Sequence, residues 1–270
     1  MRKLYSPEVG EELELPESIN SVVSLTPSVT EVLLELGYGN KLVGVSSWCR
    51  VLAAVKGYEE VISKPIAGTY DSVVADVVNR ADLVLLAGGI QRRLAKHLKE
   101  LGVHYYVTNL PKSVWGIAEV IMQVAAVLGE ATGGLRLAKK FSKKLQAVAG
   151  AVEPIKVYVE LNLGGPVVPG LFTHIVTGLE VLGLNVLNKV VIKPYEYGSE
   201  ALSISAELVR SADLVIYEDS RLEPDEESTV KRFKERCGVE PKNIIVLPVL
   251  TLTDFGPRFA DELAKLAEMI

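Results

Sequence analysis

Cysteine, histidine and glutamine are scarce in this sequence: two, three and three among 270 residues. Cys49 and Cys237 are too few for a disulfide framework and form no CxxC pair, which excludes a disulfide scaffold and a paired-cysteine zinc site. His97, His104 and His174 are widely spaced and offer no three-histidine metal set. No apolar run approaches the roughly 18 residues that a bilayer span requires. No basic block occurs either, and 29 Lys and Arg against 34 Asp and Glu leave a net charge of −5. Nucleic acid and an anionic membrane are therefore disfavoured as the main partner. With 49% apolar and 23% charged residues the chain reads as an ordinary globular protein, not a disordered one. So little glutamine among so many charges points toward a thermophilic source. Met1–Gly10 carries two basic residues, but Glu11, Glu12 and Glu14 follow in place of an apolar segment, so no secretory signal is read. Two locations stay open: cytoplasmic if the chain is whole as given, extracytoplasmic and membrane-associated if a leader or lipid anchor precedes it.

What is present is an alternation of short β-branched runs with helical patterns. The runs Ser21–Leu25, Leu42–Val45, Leu83–Ala87, Val103–Val107, Lys156–Leu161, Leu214–Tyr217 and Ile244–Val249 are mostly apolar throughout, as parallel strands covered on both faces are. Between them apolar residues recur three and four apart, as in Val29, Val32, Leu33 and Leu36, or Phe259, Leu263 and Leu266. This pattern predicts an α/β chain with right-handed crossovers.

From Ser113 to about Ala149 the periodicity is helical only, with a break at Gly129–Gly134. Leu135–Ala149 is Lys-rich on one side and carries Leu135, Ala138, Phe141, Leu145 and Val148 on the other. It reads either as a crossover helix or as a rigid connector between two lobes. An internal repeat favours the connector. Val74–Val84 lies 131 residues before Ser205–Val215, and in each copy an acid on a short helix is followed six residues later by an acid that leads into an apolar strand. The expected organisation is two Rossmann-like α/β lobes with central parallel sheets, residues 1–112 and 151–270, joined by a long rigid helix within 113–150.

Ser24–Glu31 is the most informative loop. A strand ends there, Pro27 stiffens the approach to a helix, and Ser28 with Glu31 three residues on forms a capping-box pattern. Such a turn sets hydroxyls and free N–H groups at the carboxyl edge of a sheet, where α/β proteins bind ligands. Gly88-Gly89 and Gly164-Gly165 are glycines at strand ends and extend to neither GxGxxG nor a phosphate loop. No GxSxG or HExxH motif occurs, so no catalytic residue and no metal ligand set is assigned. His174 reads as a helix-surface histidine, and Glu223–Glu227 as a solvated helix start.

The segment Val22–Glu31, followed by Gly37–Cys49 with Trp48 behind Gly44, Ser46 and Ser47, resembles the opening of the helical-backbone binding proteins of ABC importers for cobalamin, haem and ferric siderophores. The likeness continues through Gly68-Thr69-Tyr70, Pro169-Gly170, Leu179-Glu180-Val181 and Gly256-Pro257-Arg258, and it is strongest to vitamin B12 binding proteins. It implies a class III periplasmic binding protein architecture, with the transported ligand held in a cleft between the lobes and no covalently bound cofactor. By position, Trp48 and Tyr70 match aromatics of the cleft, and Pro27 and Ser28 its first loop. From the second lobe the resemblance assigns the loop Asn162, Leu163, Gly164 and Gly165, together with Phe172 and Tyr195 or Tyr197. It further implies that Asp76 and Glu207 dock onto arginines of a dimeric permease, which acts with ATPase subunits, and that the binding protein is a monomer needing no nucleic acid. A corrinoid is favoured as ligand, a large flat amide-fringed ring that suits aromatic contacts and hydroxyls. A ferric siderophore or haem is the alternative within the class, and a cytosolic corrinoid-handling protein or enzyme the alternative outside it.

Overall fold

The computed structural model describes residues 1–270 apart from the side chain of Ile90. Its chain divides into two units, Met1–Leu110 with Ile117–Phe141, and Pro111–Gly116 with Ser142–Ile270.

In the first unit five short strands form a parallel sheet, β3 (Val22–Ser24), β4 (Leu42–Ser46), β5 (Ile66–Gly68), β6 (Leu83–Ala87) and β7 (Tyr105–Thr108), in the order β5-β4-β3-β6-β7. Every residue of β3, β6 and β7 is buried, which explains the uninterrupted apolar runs. Helices α1 (Pro27–Glu35), α2 (Ser47–Lys56), α3 (Glu59–Ile62), α4 (Ala75–Val78) and α5 (Leu94–Glu100) supply the crossovers. An antiparallel hairpin precedes them, β1 (Arg2–Ser6) and β2 (Glu11–Leu15), which the charge-rich N-terminus did not reveal. It is laid against β7: Ser6 Oγ donates to the Val107 carbonyl at 2.8 Å, Tyr106 donates to the Tyr5 carbonyl at 3.1 Å, and the Glu8 carboxylate accepts the Leu110 N–H at 3.1 Å.

The helical middle holds two helices, α6 (Gly116–Leu128) and α7 (Ala131–Ala147), and the division between units falls inside α7, after Phe141. The expected break is shorter than Gly129–Gly134, because Gly133 and Gly134 are helical. A Cβ on Gly134 would run into that of Ala125, so glycine there lets α7 lie close against α6.

The second unit is built on β8 (Lys156–Asn162), β9 (Pro166–Pro169), β10 (Asn185–Val186), β11 (Tyr195–Tyr197), β12 (Leu214–Glu218) and β13 (Ile244–Leu247), with helices α8 (His174–Leu182), α9 (Gly198–Ser211), α10 (Glu226–Cys237) and α11 (Phe259–Met269). Its sheet runs β11-β9-β8-β12-β13, with β10 on the start of β8. Strands β10, β8, β12 and β13 are parallel, whereas β9 and β11 are antiparallel. The sheet is thus mixed where a parallel one was expected. The reason is the turn Leu163–Gly165, with Gly164 at φ 87°, which is too short for a crossover and sends β9 straight back. Beneath this sheet Glu160 is fully buried, accepting from Tyr158 at 2.7 Å, from Ser205 at 2.5 Å and from Arg236 of α10. That cluster fastens α9 and α10 to β8.

Candidate functional site

The carboxyl ends of β4 and β5 are neighbours because those strands pair in parallel, and this brings Trp48 to Tyr70. Their rings lie 5.7 Å apart, tilted by 40°. Trp48 stands in the first turn of α2, whose cap is Ser46, accepting the Cys49 N–H at 3.2 Å. Behind it Thr30 lies within hydrogen-bonding distance of Ser24 Oγ (2.9 Å) and Cys49 Sγ (3.1 Å), a buried network that fixes the turn. Tyr70 is 37% exposed and is placed by a tight turn in which Thr69 N–H donates to the Ser72 carbonyl at 2.9 Å and Thr69 Oγ1 to Asp71 at 2.7 Å. Gly68 is required here, since a Cβ would meet that Ser72 carbonyl oxygen.

Pro27 and Ser28 are buried, Ser28 to 1% exposure. The capping box is not formed. Pro27 takes the first helical position, so the cap falls on Thr26, and no side chain caps the helix. Glu31 is itself buried and accepts the Tyr58 hydroxyl at 3.2 Å.

In the second unit Gly164 and Gly165 form the β8–β9 turn, beside exposed Leu163 and half-buried Asn162. Phe172, 47% exposed, immediately precedes Thr173, which caps α8 by accepting the Val176 N–H at 3.2 Å. Tyr195 and Tyr197 face one way on β11, since they are two residues apart, and their rings lie 6.3 Å apart. β11 pairs with β9, and the Gly170 and Leu171 N–H groups donate to the Pro194 and Val191 carbonyls, both at 2.8 Å, so the chain beside Phe172 is stitched to the chain leading into Tyr195. Tyr197 is about half exposed, and the part of its ring that is covered pushes its phenol up from the ordinary value.

Sequence reasoning missed Asn188. It is fully buried; its Oδ1 accepts the Val159 N–H at 2.8 Å and its Nδ2 donates to the Val159 and Pro169 carbonyls at 2.7 and 3.0 Å. One side chain thus replaces a strand neighbour and anchors the segment leading to β11. Glu218 was missed too. Buried at the end of β12, it accepts the Thr253 N–H at 3.0 Å, the Thr253 hydroxyl at 2.6 Å, the Leu250 N–H at 3.2 Å and the Leu252 N–H, and burial raises its pKa.

His174 is not on a helix surface. It is fully buried, edge-on to Phe255 and Phe259 at ring separations of 5.6 and 5.0 Å, and its Nε2 lies 2.9 Å from the Leu252 carbonyl. A carbonyl only accepts, so Nε2 carries the proton. Burial pushes the imidazole down to about 4, so it is neutral at pH 7. Among the described residues no three His, Cys, Asp or Glu side chains group as a metal ion requires.

Asp76 and Glu207 are both exposed, but on unlike helices. Asp76 lies in the single turn of α4, whereas Glu207 sits in the fourteen-residue α9, which is not shortened before its strand. Ser205, two residues before Glu207, faces inward with its hydroxyl 2.6 Å from that of Tyr158.

The two sheets also correspond position by position: β8 takes the place of β3, β12 that of β6, β13 that of β7, and β9 and β11 those of β4 and β5. The aromatic pairs Trp48–Tyr70 and Tyr195–Tyr197 therefore occupy the same flank of each sheet. Solved structures share this architecture. A periplasmic heme-binding protein, RhuT from Roseiflexus sp. RS-1, is similar at a TM-score of 0.74 and 23% identity, over 92% of this chain and 97% of its own. The periplasmic vitamin B12 binding protein BtuF of Vibrio cholerae is similar at 0.70 and 18%, over 94% and 97%. An ABC-type Fe3+-hydroxamate transport system protein from Saccharomonospora viridis DSM 43017 is similar at 0.77 and 16%, over 99% and 98%. Among curated protein sequences none matches. The family model described as periplasmic binding protein matches residues 22–232, most of the chain and strands of both sheets, and on that match the chain belongs to the periplasmic binding protein family.

Proposed function

We propose that this chain is the substrate-binding component of an ABC importer, working outside the cytoplasm as a monomer that delivers a corrinoid to a membrane permease and its ATPase subunits. The observation that carries this reading is the pair of aromatic couples on matching flanks of the two sheets, Trp48 with Tyr70 and Tyr195 with Tyr197. A corrinoid is a broad ring with an amide fringe. Aromatic faces bury its ring, while phenol and hydroxyl groups such as those of Tyr197 and Thr69 address the amides. Phe172 and the backbone of Gly164 and Gly165 complete the contact set. The role requires no nucleophile or acid–base pair, so it is binding without catalysis.

A haem or a ferric siderophore is the second reading, favoured by the same aromatic surfaces and by the likeness to binding proteins for haem and ferric hydroxamate. Titrating cobalamin, cobinamide, haem and a ferric hydroxamate while following tryptophan fluorescence separates the readings. Micromolar or tighter binding of the corrinoids supports the first; preference for haem or hydroxamate selects the second; binding of none overturns both.

The exposed carboxylates of Asp76 and Glu207 are the groups we assign to permease docking, where pairs with arginine are geometrically selective. Exposed pairs add little affinity singly, so their effect falls on orientation and salt sensitivity. Asp76→Lys combined with Glu207→Lys retains ligand binding and loses association with the reconstituted permease. Unimpaired transport by the double variant would remove both acids from the docking surface.

A further inference from the structure

Helix α7 carries the densest run of positive charge in the chain, Arg136–Lys144, so the reading that no basic block occurs does not hold for this stretch. Between Ala131 and Ala147 it carries Arg136, Lys139, Lys140, Lys143 and Lys144 and no acidic residue. Subtracting these five charges from the chain's −5 leaves the remaining residues at −10. At about 100° per residue the five cations fall within an arc of about 140°. The buried Leu137, Phe141 and Leu145 lie on the opposite side.

The five are not equivalent. On the flank of the arc Lys140 is paired with Glu35 at 2.9 Å and Lys144 with Asp261 at 2.6 Å. The other three, Arg136, Lys139 and Lys143, lie side by side on the rest of the arc and are exposed, and among the described residues no carboxylate pairs with them. They follow one another at i, i+3 and i+7, a row about 10 Å long. Thr132 and Ala147 extend the same face at either end and are small. The row therefore stands clear of its surroundings.

We propose that this face of α7 docks onto an anionic lipid surface, the headgroups of acidic phospholipids, and orients the protein on the membrane. A single-sign row of cations on the convex side of a helix matches a plane of mobile anions. It has neither a pocket nor an aromatic flank to recognise a particular acidic protein, and lysine is a point charge on a flexible stem rather than a geometric fork. Since Leu137, Ala138, Phe141 and Leu145 are buried and Leu135 is the one exposed large apolar residue of α7, the helix adsorbs at the headgroups and does not insert. The −10 on the rest of the chain is repelled by the same surface, which turns the α7 face toward it. The inference does not depend on which ligand the protein carries.

The test uses the full chain, without ligand, co-sedimented at low ionic strength with phosphatidylcholine vesicles that do or do not contain about one third phosphatidylglycerol. Binding is expected only to the phosphatidylglycerol vesicles and should weaken as salt is raised. The triple variant Arg136→Ser, Lys139→Ser, Lys143→Ser should partition roughly 100-fold less. Its thermal unfolding should match that of the unaltered chain, because the three side chains are exposed. Equal binding to vesicles of both kinds, no binding to phosphatidylglycerol, or a triple variant that binds as before would each overturn the proposal. So would soluble polyglutamate binding this face in preference to the vesicles.

Discussion

Asp82 and Ser21 are joined by reciprocal hydrogen bonds: the Asp82 carboxylate accepts the Ser21 N–H at 2.9 Å, and the Asp82 N–H lies 3.0 Å from the Ser21 carbonyl. Asp213 repeats the arrangement on Lys156, accepting its N–H at 3.2 Å and donating to its carbonyl at 2.8 Å. The repeated segment is thus a repeated device, which sets the register of β6 on β3 and of β12 on β8. Both carboxyls are held below the ordinary range, Asp82 mainly by the Asn20 N–H and Asp213 mainly by the Lys242 ammonium. Their stabilisation is present above the unfolded carboxyl value of 3.8 and is lost as pH falls through the depressed folded value. Asp82→Ala should lower stability by about 0.5–1 kcal/mol at neutral pH, because the site is partly solvated. Urea unfolding should then show a shallower acid loss than in the unaltered chain.

His174 gives a second pH dependence at a higher window. Its folded value of about 4 lies below the ordinary 6.5, so the unfolded chain binds the proton more readily between these values. Stability is full above pH 6.5 and declines as pH falls toward 4, by on the order of 3 kcal/mol in total. His174→Leu should flatten that slope in urea titrations, at the cost of the hydrogen bond to Leu252.

Asn188 bears three buried hydrogen bonds. Replacing it by alanine leaves the Val159 N–H and two carbonyls without partners, and should destabilise the chain by about 2–4 kcal/mol. Asn188→Asp should be worse, because a carboxylate would then face the Val159 and Pro169 carbonyls. Near-ultraviolet circular dichroism should report the displacement of the β11 tyrosines.

Trp48 and Trp115 are the two tryptophans, and Trp115→Phe leaves Trp48 as the single reporter. On that background, corrinoid quenching should persist if Trp48 packs on the ligand. Trp48→Ala should weaken binding by roughly 1–3 kcal/mol, measured by calorimetry.

Gly68→Ala tests the other ring. The added methyl displaces the Ser72 carbonyl and with it the turn that presents Tyr70, so corrinoid affinity should fall while urea stability drops by about 1–3 kcal/mol. Unchanged affinity in a folded Gly68→Ala protein would separate Tyr70 from the ligand surface.

Much of the framework was legible because it is written in local pattern. Leu83–Ala87 is buried on both faces, so its apolar run coincides with β6, and Asp82 marks its start. β9 was hidden because Pro166 and Pro169 bracket only two valines, and β11 because Tyr-Glu-Tyr is too short to show a period. The position of Trp48 behind β4 follows from the strand pattern, but its approach to Tyr70 depends on β4 and β5 being neighbours, which periodicity does not encode. Asn188, Glu160 and Glu218 are polar residues in or beside apolar runs, and Arg236, the partner of Glu160, is one of many charges on α10. Their roles exist only once distant segments meet, and no local signal announces them. The basic residues of α7 are plain in the sequence between Arg136 and Lys144, but which of them are left without a carboxylate depends on Glu35 and Asp261, which come from distant segments.

The hairpin β1–β2 lies outside the stretch that matches the family and against the last strand of its unit's sheet. On β7 the His104 and Thr108 carbonyls accept bonds from the Val84 and Gly88 N–H groups, so by alternation the Val107 carbonyl points outward, where Ser6 takes it up. A bare strand edge of that kind is a template for another chain, and successive chains added there would propagate as a fibril. The hairpin therefore covers that edge, and shortening the N-terminus to begin near Asn20 should leave β7 as an open seam and make the protein prone to assemble with itself.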